Sequence, residues 1–215
     1  MAGVLPPPPT VAVLRGQGIR PDELVEISPE QVLWRAHRTT ATHSLPWNAL
    51  RTFGPVLRFD PHPYPRRDHP PGRGVWYGAL DVDGALAEVY QHTRVIDRRW
   101  EAPYLTGFRC TRPLQLLDLG GSGTGRWPTR AGGTFAMDTA PHGVAQHWAR
   151  AIRSAHPELD GLLYRGRFAG GRCLALFCPA TDAFPTRPLT SNPLTHPGLQ
   201  SRLAGAALRV GYALV

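Results

Sequence analysis

Punctuation by proline and glycine constrains this chain more than any other feature. There are 23 of each among 215 residues, spread along the whole length. Proline removes a backbone donor and glycine raises the entropy lost on ordering, so neither is tolerated deep inside long elements. Short strands and a few modest helices are what fit between them. With 42% hydrophobic and 19% charged residues, the chain still carries enough apolar surface for a core, which excludes a disordered polymer. The length suits one domain of ordinary size.

Residues 1–30 are Pro-rich and then polar, and are expected as an N-terminal arm with a short helix near residues 29–32. "VLWRAHR" (32–38) is the first convincing strand. "PHPYPRRDHPPGRG" (61–74) is too broken for regular structure. "GVWYGAL" follows as a strand, and Asp81 or Asp83 caps a helix that runs to about His92. "YLTGFRC" and "LQLLDL" read as strands joined by a turn at residues 111–113. Residues 140–158 carry the best helical pattern. Thr139 is the expected N-cap, Pro141 falls in the first turn, and Val144, Trp148, Ala151, Ile152 and Ala155 form the apolar stripe. "DGLLYRG" and "RCLALFC" add two strands, and a helix over residues 199–207 precedes a final strand, "LRVGYALV". Strands outnumber helices in a mixed order with no internal repeat, so the fold class is α+β.

The net charge is +8, and all 24 basic residues are arginine. Arginine forks suit phosphates and carboxylates, but GC-rich coding also favours Arg, Ala, Gly and Pro. The scatter of the arginines favours the coding explanation. A nucleic-acid binder finds no basic strand interleaved with aromatics and no recognition-helix signature. Cys110, Cys173 and Cys178 show no metal spacing and read as reduced core thiols. The start MAGVLPPPPT lacks signal-peptide character, and no apolar run approaches a membrane span. A soluble, cytoplasmic protein is expected.

Local patterns give few chemical leads. "GGSGTG" (120–125) lacks the Gly-Lys-Ser/Thr ending of a P-loop, and HExxH and GxSxG are both missing. No metal is expected. Glu88 lies opposite Leu86 on the helical wheel, which by itself turns it to solvent. Its neighbours Gly84, Ala85 and Ala87 are small, which leaves room for a ligand. Arg35 shares a strand face with Leu33 and His37. It either faces a cleft or snorkels from an edge strand. Tyr77 sits mid-strand as an aromatic with its hydroxyl at a rim.

Four ordered segments change the weighting: "LWRAHR", "VLRFD", "GVWYGALDVDGALAEVY" and "QHWARAIRSAHPELDGLLYRGRFAGGRCLALF". Together they resemble the RES-domain family, over roughly residues 33–177. The resemblance implies an ADP-ribosyltransferase-like fold: mixed strands around a NAD cleft, with a few flanking helices. It implies residues 31–180 as the RES domain and 181–215 as an extension packed on it. Family toxins consume NAD by glycohydrolysis or phosphorolysis of the nicotinamide–ribose bond, and some ADP-ribosylate a protein. By this resemblance Arg35 and Glu88 take the catalytic Arg and Glu positions. Tyr77 lines the nicotinamide side and Arg58 is a further NAD contact. Gly166 stands where the family serine is expected. NAD is implied as substrate, without metal, and a cognate antitoxin with a helix-turn-helix domain as partner. The alternatives are an ADP-ribosyltransferase acting on a macromolecule and a catalytically silent binding module, the latter because Gly166 replaces serine.

Overall fold

A computed structural model describes residues 5–122, 126–167 and 170–215. The last three residues of "GGSGTG", and Phe168 and Ala169 of the segment after the Asp160–Gly161 turn, lie outside the described residues. In chain order the elements are α1 (Val11–Gln17), β1 (Leu24–Ile27), β2 (Val32–Arg38), β3 (Val75–Ala79), α2 (Val82–Tyr90), β4 (Val95–Ile96), β5 (Pro103–Arg109), β6 (Leu114–Asp118), α3 (Trp127–Arg130), α4 (His142–Ala155), β7 (Gly161–Arg165), β8 (Arg172–Phe177), β9 (Thr190–Pro193), α5 (Gln200–Val210) and β10 (Ala213–Leu214). Eight strands make one mixed sheet in the order β1-β6-β7-β8-β3-β2-β5-β9, and β10 pairs with β4 separately. Among the described strands of the large sheet only β6 and β7 run parallel; the α3–α4 segment crosses between them. This mixed α/β arrangement agrees with the expected class.

Alternation along the strands divides the core. Leu33, Trp76, Phe108, Leu174 and Leu176 pack on one face, closed by Trp47, Leu50 and Phe184 from irregular segments. Val75, Ala79, Leu162, Ala175 and Phe177 face the other way and meet Trp148, Ala149 and Ile152 of α4. The stripe on α4 is therefore real, with Val144 packed at its margin. α2 and α5 enclose a third cluster around Leu86, Tyr90 and Leu203.

Several local expectations change. Pro141, not Thr139, is the N-cap of α4; its extended ψ of 147° sets the entry, and it supplies no side-chain hydrogen bond. Residues 29–31 form a turn rather than a helix. Residues 5–30 lie against the domain. β1 pairs with β6, the Trp148 indole donates to Pro6 O at 2.8 Å, and buried Glu23 meets Arg130 at 2.5 Å. At the other end α5 continues to Val210, and left-handed Gly211 stops it. That leaves two residues for the last strand instead of eight, because the apolar spacing of Leu203, Ala206 and Ala207 serves a helix against α2.

Candidate active site

β2 and β3 pair only at Trp34 and Ala79. β2 pairs with β5 along its whole length, and β3 with β8. The two central strands therefore splay apart beyond that single pair, and Arg51 takes the vacant edge of β3 through two backbone hydrogen bonds with Val75, 2.9 and 3.0 Å. A cavity of about 150 Å³ opens at the split. Arg35, Arg58, Tyr77, Glu88, His142 and Tyr164 line it. Four of the five residues nominated from sequence thus share one cavity. The fifth, Gly166, stands at its border: a Cβ there would lie 3.2 Å from Glu88 Oε1.

α2 starts where Asp81 accepts from the Gly84 amide at 2.6 Å, so the first of the two expected caps is used. Leu86, Ala87 and Tyr90 go to the α2–α5 cluster. The opposite face, which the wheel turns to solvent, is covered by the end of β7 and by the segment carrying Arg58. Glu88 is half-buried there, and its Oε1 is buried with no hydrogen-bond partner among the described residues. Burial pushes its carboxyl up, while the Arg167 backbone N–H and the Arg58 and Arg167 charges hold it down. Of the small neighbours only Ala85 faces the cavity. Gly84 is small because a Cβ would come 3.1 Å from Ala79 Cβ, and Ala87 is core. The expected room for a ligand comes from the split strands instead.

Arg35 is on a central strand, so the edge-strand alternative falls. Its Nη1 donates to Trp47 O at 3.1 Å and Ala49 O at 3.2 Å, and its guanidinium lies 5.5 Å from the Trp76 ring centroid. Burial, with Arg51 nearby, brings its pKa down to about 10, so it stays charged at neutral pH. None of the ion pairs among the described residues includes it. A half-buried cation answered by carbonyl dipoles and an aromatic face favours an arriving anion. Arg58 donates to Ala140 O, which ties its segment to the start of α4.

Sequence reasoning missed Asp60, the last residue of "VLRFD". It is fully buried. Both Asp60 oxygens accept from Arg51 Nη2, at 2.6 and 2.8 Å. The amides of Val56 and Leu57 add 2.5 and 2.8 Å bonds, and the Tyr77 hydroxyl donates at 2.9 Å. That hydroxyl also accepts from the Phe59 amide at 3.0 Å, so Tyr77 offers the cavity its ring rather than a free hydroxyl. An Asp closing a short loop over amides three and four residues back is a local signal that could have been read. Tyr164 was also missed; it packs on Phe59 with ring centroids 4.7 Å apart. Beyond Arg35 the cleft continues into a space of about 350 Å³ lined by Arg38, His43 and Arg51. Beyond Gly166 lies another, lined in part by Asp138. No cluster of three or more metal-ligating side chains occurs among the described residues, and no helix there is long and apolar enough to cross a membrane.

Comparison with known proteins adds two findings. The chain matches the family model described as the RES domain over residues 32–195. Its fold is similar to that of a chain in the crystal structure of the M. tuberculosis MbcT–MbcA toxin–antitoxin complex. The TM-score is 0.52 at 17% identity, over 85% of this chain and 92% of that one. No curated protein matches the sequence.

Proposed function

The chain belongs to the RES-domain family, and on that premise we propose that it is a toxin that breaks the nicotinamide–ribose bond of NAD. One observation carries the reading: Glu88, a carboxylate with a buried oxygen unpartnered among the described residues, shares a cavity with two arginines and two tyrosines at the split between β2 and β3.

The chemistry follows from those groups. The C–N bond breaks with its electron pair going to the nicotinamide nitrogen, which leaves a ribosyl cation. Glu88, in a partly dry site where charge interactions are strong, stabilises that cation and accepts a ribose hydroxyl at Oε1. The rings of Tyr77 and Tyr164 give the nicotinamide and ribose flat apolar walls. Arg35 and Arg58 hold the pyrophosphate through charge-assisted hydrogen bonds. Glu88 acts as the anion, so its raised pKa places the acid limb of turnover above the ordinary carboxylate range.

The test is nicotinamide release from NAD by the purified protein, with and without inorganic phosphate. Release is expected in at least one condition. Glu88→Gln should lower it by about 10²–10³-fold, the scale on which single charge-stabilising groups act. Absence of release in both conditions sinks the reading. Adenine-labelled NAD leaving label on a macromolecule would shift it to ADP-ribosyl transfer.

A cognate antitoxin that covers the cleft completes the proposal. Co-expression with the product of an adjacent small reading frame should suppress NAD loss in cells. Unchanged NAD loss would rule that product out.

A further inference from the structure

Past Gly166 lies a second cavity of about 490 Å³, lined by Gly120, Phe135, Asp138, Arg165, Gly166 and Arg167. The strip of chain from Arg165 to Arg167 lines it, and a Cβ on Gly166 would also lie 3.2 Å from Glu88 Oε1, so the cavity and the cleft meet at a residue with no side chain. Two carboxyl groups meet this strip. The Arg167 amide donates to Glu88, and the Arg165 amide donates to Asp138.

The two carboxyls share a second property. Glu88 Oε1 and Asp138 Oδ1 are each buried without a hydrogen-bond partner among the described residues. An unpartnered buried acceptor costs about 1–3 kcal/mol. Two of them, one in the cleft and one in the adjoining cavity, point to hydroxyl groups that arrive with substrates. Asp138 is held at the end of a 3₁₀ turn, Phe135–Asp138, capped by Thr134. It is thus fixed by backbone, while Phe135, 62% exposed, stands at the cavity wall.

We propose that the second cavity admits the O–H acceptor, water or hydrogen phosphate, and that Asp138 is the general base that takes its proton. The proposal rests on the NAD-cleavage reading. As nicotinamide leaves with the C–N electron pair, the acceptor oxygen bonds to the ribose carbon from the Gly166 side. Its O–H bond breaks, and the proton passes to Asp138 Oδ1. Burial brings the Asp138 carboxyl up to about 7, with Arg165 and Arg58 opposing the rise and Asp118 adding to it; buried Cys173 also senses this charge. The base is thus half-ionised near neutrality, a pKa matched to its task.

The experiment compares wild type, Asp138→Asn and Asp138→Ala for NAD affinity and for nicotinamide release across pH, in phosphate-free and phosphate buffer. In the wild type, release should rise with pH through a limb near 7. Asp138→Asn should keep NAD affinity, lose about 10²-fold in turnover and lose that limb. Added formate should restore part of the Asp138→Ala rate. The buffer arms separate the acceptors: ribose-1-phosphate-type product marks phosphate, free ADP-ribose marks water. Wild-type turnover in Asp138→Asn, a retained limb, or an Asp138→Ala loss that formate does not relieve would overturn the role of Asp138 and leave NAD cleavage standing. A folded wild type that releases no nicotinamide overturns both.

Discussion

Asp60 and Glu88 are carboxylates attached to the same cleft, one through Tyr77 and one directly, and they are treated in opposite ways. Asp60 is saturated: a guanidinium, two backbone amides and a phenol fill its oxygens. Glu88 keeps a buried oxygen with no hydrogen-bond partner among the described residues. A desolvated charge with every lone pair answered organises structure, whereas one left unanswered is held ready for a ligand. Asp60 is fully buried and Glu88 half-buried, but it is the hydrogen-bond inventory that separates their roles.

The strongest way to break this contrast is Asp60→Ala. It strands Arg51, two amides and the Tyr77 hydroxyl together, so stability should drop by about 3–5 kcal/mol, read by denaturant unfolding. A loss under half of that would mean that Asp60 is no hub. Glu88→Gln should do the reverse, with stability held within about 1 kcal/mol while turnover collapses. A protein destabilised as much as Asp60→Ala would make Glu88 structural as well.

Gly166→Ser sharpens the picture on the cleft's other side. The new Cβ would meet Cys173 Sγ at 2.9 Å and Gly171 O at 3.2 Å, and overpacking of this kind costs about 1–3 kcal/mol. Cys173→Ala should relieve most of that penalty in the double variant. Additive losses would show that the thiol is not what crowds the position. This contact gives a physical reason for glycine where the family pattern expects serine: Cys173 from β8 already fills the space.

The smallest effect concerns pH. The Asp138 carboxyl rises from 3.8 to about 7 on folding, so the folded state binds its proton more tightly than the unfolded chain. The stabilisation this brings is complete below the unfolded value and fades as pH climbs from about 4 to 7. Melting curves of wild type minus Asp138→Asn should show that decline; a flat difference would contradict it.

The sequence made much of this scaffold legible where the determinants are local. Asp81 before α2, the period-two run of β3 and the 3.6-residue stripe of α4 each act within a turn or two of chain. The end of α5 differs because "LRVGYALV" alternates well enough for a strand, yet its first three residues finish a helix, with Val210 at the margin of the α2–α5 cluster, Arg209 paired with Asp83 and Leu208 exposed. Cap choice at α4 failed for a smaller reason, since Pro141 reaches the extended entry conformation that Thr139 was expected to supply.

Composition, spacing and the family resemblance nominated Arg35, Arg58, Tyr77, Glu88 and Gly166 one by one. Tertiary structure alone brought them together. The cleft exists because β2 and β3 splay after one pair, and strand pairing is fixed by partners distant in the chain. The solvent-facing side of α2 became the floor of a cavity because Tyr164 and Arg58 arrive from opposite directions in sequence to cover it. Helical periodicity determines which residues share a face; what that face meets is decided by elements that no local pattern contains.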